Sequence, residues 1–286
     1  MKFKKILMCT LAAGLLLTGC SDSGKDGGNT KMEITSSKPA EIDGFKGNVE
    51  NVAPKSGDLI ATFEIEGFGT IKAVLFPEAA PVGVENFQKL ADSGYFKNLN
   101  IHRVVADFML QGGSLNGNGT GGDAMVNGGE FGIETTQNAR HFYGALCYAN
   151  AQGQNSTQFY IVNNKIPQDL DDFDIPRYEQ IVQQGKDYMA ASRSDAEREY
   201  YRFQGQYYQN TVDWVNYASD EIKARYKEKG GTPFLDGNYT VFGQVYEGFD
   251  VVDRISEVLV TYNDNGTEMS KPVQDIIIKN VTVTVF

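Results

Sequence analysis

Two runs of alternating apolar and polar residues stand near the two ends of this chain's foldable stretch, and they set the first limit on its fold. LIATFEIEGFGTIKAVLF (Leu59–Phe76) alternates on either side of Gly67 and Gly69. A period of two puts one set of side chains on each face of an extended strand, and glycine permits a tight reversal, so the run reads as a β-hairpin. FLDGNYTVFGQV (Phe234–Val245) reads as a turn and strand, and DIIIKNVTVTVF (Asp275–Phe286) closes the chain as a strand. Two short helices accompany these strands. Val84, Phe87 and Leu90 recur at near-helical spacing, with Gly94 placed to end the helix. GFDVVDRISEVL (Gly248–Leu259) reads as the second helix. The fold class is mainly β.

The segment from about Ile166 to Gly231 breaks the β pattern. Tyr178, Ile181 and Val182 fall at i, i+3 and i+4. Ser194-Asp195-Ala196-Glu197 reads as a capping box, because the Ser oxygen and Glu carboxylate can satisfy exposed backbone N–H groups. Tyr200, Phe203 and Tyr207 continue one face. Ser219 is placed to cap a last helix carrying Ile222 and Tyr226 and stopping at Gly230-Gly231. Two or three helices, rich in Tyr, are expected. The connection exceeds the usual loop of roughly 4–6 residues.

The N-terminus carries different information. MKFKK is a positive n-region and ILMCTLAAGLLL an apolar h-region, too short for a span of roughly 20 apolar residues. LTGC (Leu17–Cys20) resembles the lipobox of bacterial lipoproteins, in which the cysteine is acylated after the preceding peptide is removed. An ordinary signal peptide with an incidental cysteine is the alternative. The expected layout is a signal peptide over 1–19, a flexible Ser/Gly/Asp/Lys-rich tether over 20–57, and one domain over 58–286. Ser21 after Cys20, by resemblance to envelope sorting, favours the outer membrane. With Cys9 and Cys20 so assigned, Cys147 stands alone in an apolar strand-like run and reads as a small buried hydrophobe.

Several functions are disfavoured. A net charge of -11, with no basic patch, argues against nucleic acid as a partner. The glycine-rich loop NGNGTGG (Asn116–Gly122) lacks the Lys-Ser/Thr ending of a phosphate cradle. The two histidines, His102 and His141, have no carboxylates at ligand spacing, so no metal site is expected.

IHRVVADFMLQGG (Ile101–Gly113) carries the chemistry. Arg103, Phe108, Met109 and Gln111 supply a cation, an apolar floor and an amide on two adjacent strands. Such a set can hold a short apolar ring and polarise an amide beside it. The run resembles the signature of the cyclophilin family of peptidyl-prolyl cis-trans isomerases, and ANAQGQNSTQFYIV (Ala149–Val162) resembles the other half of that family's site.

The resemblance implies a closed eight-stranded antiparallel barrel capped by two helices, here with an inserted α-helical subdomain over one rim of the groove. The barrel strands are expected to be complete without the insertion. It implies that Arg103 is catalytic, with Gln111 orienting it. It makes Phe108 and Met109 the floor and wall of a proline pocket that Leu235 and Tyr239 complete and Phe234 borders. Ala149, Asn150 and Ala151 match a strand on which an extended peptide docks, and Gln158 and Tyr160 match the next strand. His102 reads as structural. Departures fall at Ile101 (usually Phe or Val), Tyr160 (usually Phe), Phe234 (often Trp) and Tyr239 (often His), and they bear on substrate preference and rate. The expected activity needs no cofactor. The expected partners are proline-containing unfolded or extended chains, with membrane attachment through Cys20 and a monomeric state. A binding module or chaperone, with isomerisation incidental, is the competing expectation.

Overall fold

The structure, a computed structural model, describes Met32–Phe286 as one compact unit. The expectations for the signal peptide and Cys20 lie outside the described residues. β1 (Leu59–Ile65) and β2 (Gly69–Leu75) form the antiparallel hairpin that the alternation requires, Phe63 opposite Ile71. The remaining strands of the sheet are β3 (Ile101–Val105), β4 (Met109–Gly112), β5 (Phe131–Gly132), β6 (Ala145–Ala151), β7 (Gln154–Val162), β8 (Val241–Glu247) and β11 (Ile278–Val285). β9 (Val260–Tyr262) and β10 (Met269–Pro272) form a separate hairpin.

The sheet order is β11-β1-β2-β8-β6-β7-β4-β3, with β5 paired beside β7. The expected closed barrel is corrected here to an open path. Its end strands meet only where they begin. Asn98 N–H donates to Ile278 O, Ile278 N–H to Leu99 O and Ile101 N–H to Ile276 O, around an isolated Asn100–Ile277 bridge. Past this point β11 stays on β1 along its whole length, whereas the outer side of β3 faces β10. The two edges diverge and no ladder joins them.

The sheet interior is aromatic. Phe87 packs against Phe63, Phe96 and Phe242 with ring centroids 5.1–5.8 Å apart, and Phe159 lies 5.2 Å from Phe63. α1 (Pro81–Asp92) adds Val84 and Leu90 to this core, and α5 (Phe249–Ser256) adds Val251, Val252 and Ile255. Each large side chain so buried contributes roughly 1.5–3 kcal/mol.

Between β7 and β8 the chain forms α2 (Ile175–Ala191), α3 (Asp195–Asn216) and α4 (Asp220–Lys229). Ser194 Oγ accepts from Glu197 N–H to open α3, and Ser219 Oγ accepts from Ile222 N–H to open α4. Glu197 reaches back to Arg193 N–H rather than to Ser194, one residue beyond the box geometry. Gly230 ends α4 at φ +76, where a Cβ would lie 2.6 Å from the Lys165 carbonyl carbon, so only glycine fits without movement.

Residues 32–57, expected to belong to a flexible tether, are instead tied to the domain. Ile34 is buried with Val182 and Met189, in the gap where Gly185 and Gly205 bring α2 and α3 close. Ser36 Oγ and Ser37 N–H donate to Asp213, and Thr35 N–H donates to Gln206. Further on, Gln137 N–H donates to Ala40 O, and the fully buried Asn48 bonds to Arg140 O and Gln244. A polar, glycine-containing composition marks a segment unable to build a core of its own; it does not prevent the segment from lying down on one that exists.

Candidate active site

β3 and β4 are register partners, with Arg103 opposite Gln111. That register puts the guanidinium beside the amide: Arg103 Nη1 donates to Gln111 Oε1 at 3.1 Å. Gln111 Nε2 donates to Gln158 Oε1 at 3.0 Å, and Gln158 Nε2 donates to Gly119 O at 2.9 Å. The glycine-rich loop is therefore the last support of a chain of amides that leads back to the arginine.

The opposite side of Arg103 is held by a residue that the sequence reading did not single out. Glu268, in the turn between β9 and β10, accepts from Nε at 2.6 Å and from Nη2 at 2.8 Å. This is a two-pronged pair in which a planar fork meets a planar carboxylate. The hydrogen bonds from Arg103 outweigh partial burial and hold the Glu268 carboxyl below its ordinary value. The only sequence signal was indirect: Asp264-Asn265-Gly266 marks a hairpin turn, which would have placed Glu268 at a strand entrance. Nη1 also donates to Met109 Sδ at 3.9 Å, a weak acceptor, so one Nη2 N–H is left for a ligand and the Nη1–sulfur contact is the next easiest to exchange.

The Phe108 ring lies 5.8 Å from the guanidinium carbon and stacks on Phe234 at 5.9 Å. Phe108 is fixed by its backbone: its N–H donates to Asn163 Oδ1, and Asn163 Nδ2 donates to Val105 O, which pins the β3–β4 turn. Phe108, Phe234 and Tyr239 are half-buried and pack on a layer of buried Met109, Tyr160, Cys147 and Leu235. Cys147 is fully buried, as its apolar run implies, and burial raises its thiol well above the usual range. Tyr160 is the register partner of both Gln111 and Cys147, so its ring lies at the centre of this layer.

Ala149, Asn150 and Ala151 form the end of β6, half-buried to exposed. The β6–β8 register runs from Ala145 to Cys147, and Tyr148 N–H still reaches Thr240 O. Beyond it Asn150 and Ala151 pair with β7 alone among the described pairings, and Ala149 falls at the register shift between Tyr148 and Asn150. The Asn150 side chain is committed elsewhere: Nδ2 donates to Asn238 O and Oδ1 accepts from Gly153 N–H. Arg103, Gln111 and Gln158 are thus joined by hydrogen bonds, and Phe108, Met109, Ala149, Tyr160, Phe234, Leu235 and Tyr239 belong to one apolar cluster beside them.

α3 lines the far rim. Thr211 Oγ1 donates to Phe234 O, Asn210 Nδ2 to Gly237 O, and Asn238 Nδ2 to Tyr207 O. Gly237, at φ +78, presses on the Trp214 ring, where a Cβ would stand 2.7 Å away. The turn that carries Phe234, Leu235 and Tyr239 is therefore shaped by the helix. Beside Arg103, a cavity of about 220 Å³ is lined by His102, Gly117, Asn118 and Asn263, among others. Burial, reinforced by the Arg103 charge, lowers the pKa of His102 to about 4 and keeps it neutral. No His/Cys/Asp/Glu cluster suited to a metal ion occurs among the described residues.

The chain is similar to known proteins along most of its length. The sequence profile of the cyclophilin type peptidyl-prolyl cis-trans isomerase family matches residues 60–283. A Staphylococcus aureus protein named "Putative peptidyl-prolyl cis-trans isomerase" is 34% identical over 217 residues, 75% of this chain and 87% of that protein. A Staphylococcus haemolyticus protein of the same name is 33% identical over 75% of this chain and 86% of its own length. Among solved structures, a cyclophilin type isomerase of Cryptosporidium parvum superposes with a TM-score of 0.51 at 20% identity, covering 80% of this chain and 99% of that one. A second structure of that protein, determined in the presence of the dipeptide Ala-Pro, superposes with a TM-score of 0.50.

Proposed function

Since this chain belongs to the cyclophilin type peptidyl-prolyl cis-trans isomerase family, we propose that it rotates X-Pro bonds in extended polypeptides and that Arg103 does the chemistry. Resonance imposes a barrier of about 18–20 kcal/mol on peptide rotation, and X-Pro bonds isomerise unaided only over tens to hundreds of seconds. Twisting the bond returns the lone pair to the prolyl nitrogen. An N–H aimed there gains strength in the twisted state and little in the planar one, which is the condition for acceleration. The observation that carries the reading is the clamp on Arg103. Glu268 and Gln111 fix the guanidinium from two sides and leave one Nη2 N–H, with a second N–H on Nη1 held only by the weak acceptor Met109 Sδ, above a floor of Phe108 and Met109. A prolyl ring seated on that floor places its nitrogen toward those protons. The chemistry needs no cofactor.

LTGC supports a location at the cell envelope, with Cys20 acylated, on the outer membrane by the Ser21 argument, so that clients would be envelope proteins as they fold. Replacement Cys20→Ser is expected to release the protein from the membrane fraction; a variant that stays there rejects this part. The position of α3 along the Phe234–Tyr239 rim favours a second reading, a proline-peptide binding module or chaperone with incidental turnover. A protease-coupled assay on a proline tetrapeptide separates the two. Catalysed exchange supports the isomerase, and binding without exchange supports the module.

A further inference from the structure

Tyr160 brings a hydroxyl to the layer beneath the pocket, and that hydroxyl has a partner. Its Oη lies 2.9 Å from His141 Nε2, with the two rings stacked at 6.1 Å. His141 Nδ1 lies 2.8 Å from Asp236 Oδ1, which also accepts from His141 backbone N–H at 3.0 Å. The second Asp236 oxygen accepts from Arg140 Nη1 at 3.0 Å and from Tyr226 Oη, on α4, at 2.8 Å. Arg140, His141 and Asp236 are all at most 1% exposed. Five buried side chains thus run without a gap from α4 to the pocket floor.

Donor logic gives the run a direction. A carboxylate only accepts, so the His141 nitrogen facing Asp236 carries the proton, and in the neutral ring the other nitrogen accepts. The phenol proton of Tyr160 is then donated to Nε2, away from the pocket. We propose that His141, held by Asp236, is a positioning residue that turns the Tyr160 hydroxyl inward, so that the prolyl ring meets an aromatic face carrying no free donor. This rests on the isomerase reading above and adds how the proline pocket is specified. A loose hydroxyl would demand a water or a substrate carbonyl in the space the ring occupies. Ground state and transition state rest on the same floor, so losing the anchor weakens both alike and appears in KM rather than kcat. Through Tyr226 the run also makes the pocket floor depend on α4.

The test is a two-residue cycle on the full chain, reading kcat and KM for a proline tetrapeptide. His141→Leu is expected to raise KM about fivefold or more in the Tyr160 background, with kcat within about twofold, as for a buried hydroxyl left with only the Cys147 thiol, a weak acceptor, for a partner. In the Tyr160→Phe background the same substitution is expected to change KM by less than about twofold, because no hydroxyl remains to anchor. His141→Gln, whose amide can donate to Asp236 and accept from Tyr160, is expected to restore most of the loss. Equal KM changes in both backgrounds, or none in the first, would overturn the proposal. If His141→Leu does not fold, the wild-type protein decides by nitrogen NMR of the ring. Protonation at Nδ1 alone supports the proposal, and protonation at Nε2 refutes it. A wild-type protein with no turnover would sink the isomerase reading instead, and the cycle would then be read on peptide Kd by titration, with the same outcomes.

Discussion

Inside the sheet, Phe63, Phe87, Phe96, Phe159 and Phe242 pack ring against ring. On its other face, Met109, Cys147, Tyr160 and Leu235 pack as closely, but they rest on Asp236, Arg140 and His141. The first cluster is held by shape and area, which many residues of similar volume can supply. The second is held by charges and hydrogen bonds whose partners have no substitutes, because a buried polar group that loses its partner keeps the full cost of leaving water. The side that carries the candidate site is thus the side specified atom by atom.

The largest effect expected of this difference is at Asp236. Burial alone would raise its carboxyl, but Arg140 and His141 outweigh burial and hold it below the ordinary value. Asp236→Ala leaves Arg140 as a buried, uncompensated charge and is expected to cost about 3–5 kcal/mol in denaturant unfolding. A loss as small as that of a surface residue would break the contrast. Replacing α2–α4 by a short turn should act in the same direction, since it removes the Tyr226 hydroxyl from Asp236 and the Trp214 carbonyl from Arg140. The sheet strands all lie outside the inserted segment, as expected, yet those two bonds tie its helices to the layer beneath the candidate site. Ile34→Ala, which empties the seat between α2 and α3, is expected to cost about 2 kcal/mol; no change would mean that residues 32–37 add nothing to stability.

Phe159→Leu, a replacement within the interior cluster, is expected to cost about 1.5 kcal/mol or less. A loss equal to that of Asp236→Ala would mean that both clusters obey one rule. The smallest effect is a pH dependence. The Glu268 carboxyl has a folded pKa below its ordinary value near about 4.3. Its pairing with Arg103 therefore contributes fully above that ordinary value and is lost as pH falls through the depressed folded one. In acid titrations, Glu268→Gln should flatten this loss in stability and leave the curve at neutral pH little changed, because the pair is about a third exposed.

Strands and helices were legible because their periods are short: alternation in β1, and Val84, Phe87 and Leu90 in α1, concern neighbours in the chain. The Arg103–Gln111 contact was legible for a related reason, since it lies across one two-strand turn. Glu268 was not, because it reaches Arg103 only through the packing of a hairpin 165 residues away. The docking of residues 32–57 was hidden for another reason. Its hold combines isolated apolar anchors, such as Ile34 and Phe45, with backbone and small polar groups, such as Ala40 O and Ser36 Oγ, and none of these forms a periodic pattern. Closure of the barrel depended on how far β3 and β11 run together, which alternation within either strand does not record.

The central claim is that the clamped guanidinium acts on the prolyl nitrogen. Arg103→Ala removes the donors while leaving Phe108, Met109 and Tyr160 in their layer. The decisive measurement is kcat/KM for a proline tetrapeptide in this variant, with Tm measured alongside. The account predicts a fall of at least about 10²-fold with Tm nearly unchanged. A folded Arg103→Ala protein that turns over the peptide as fast as the wild type would contradict it.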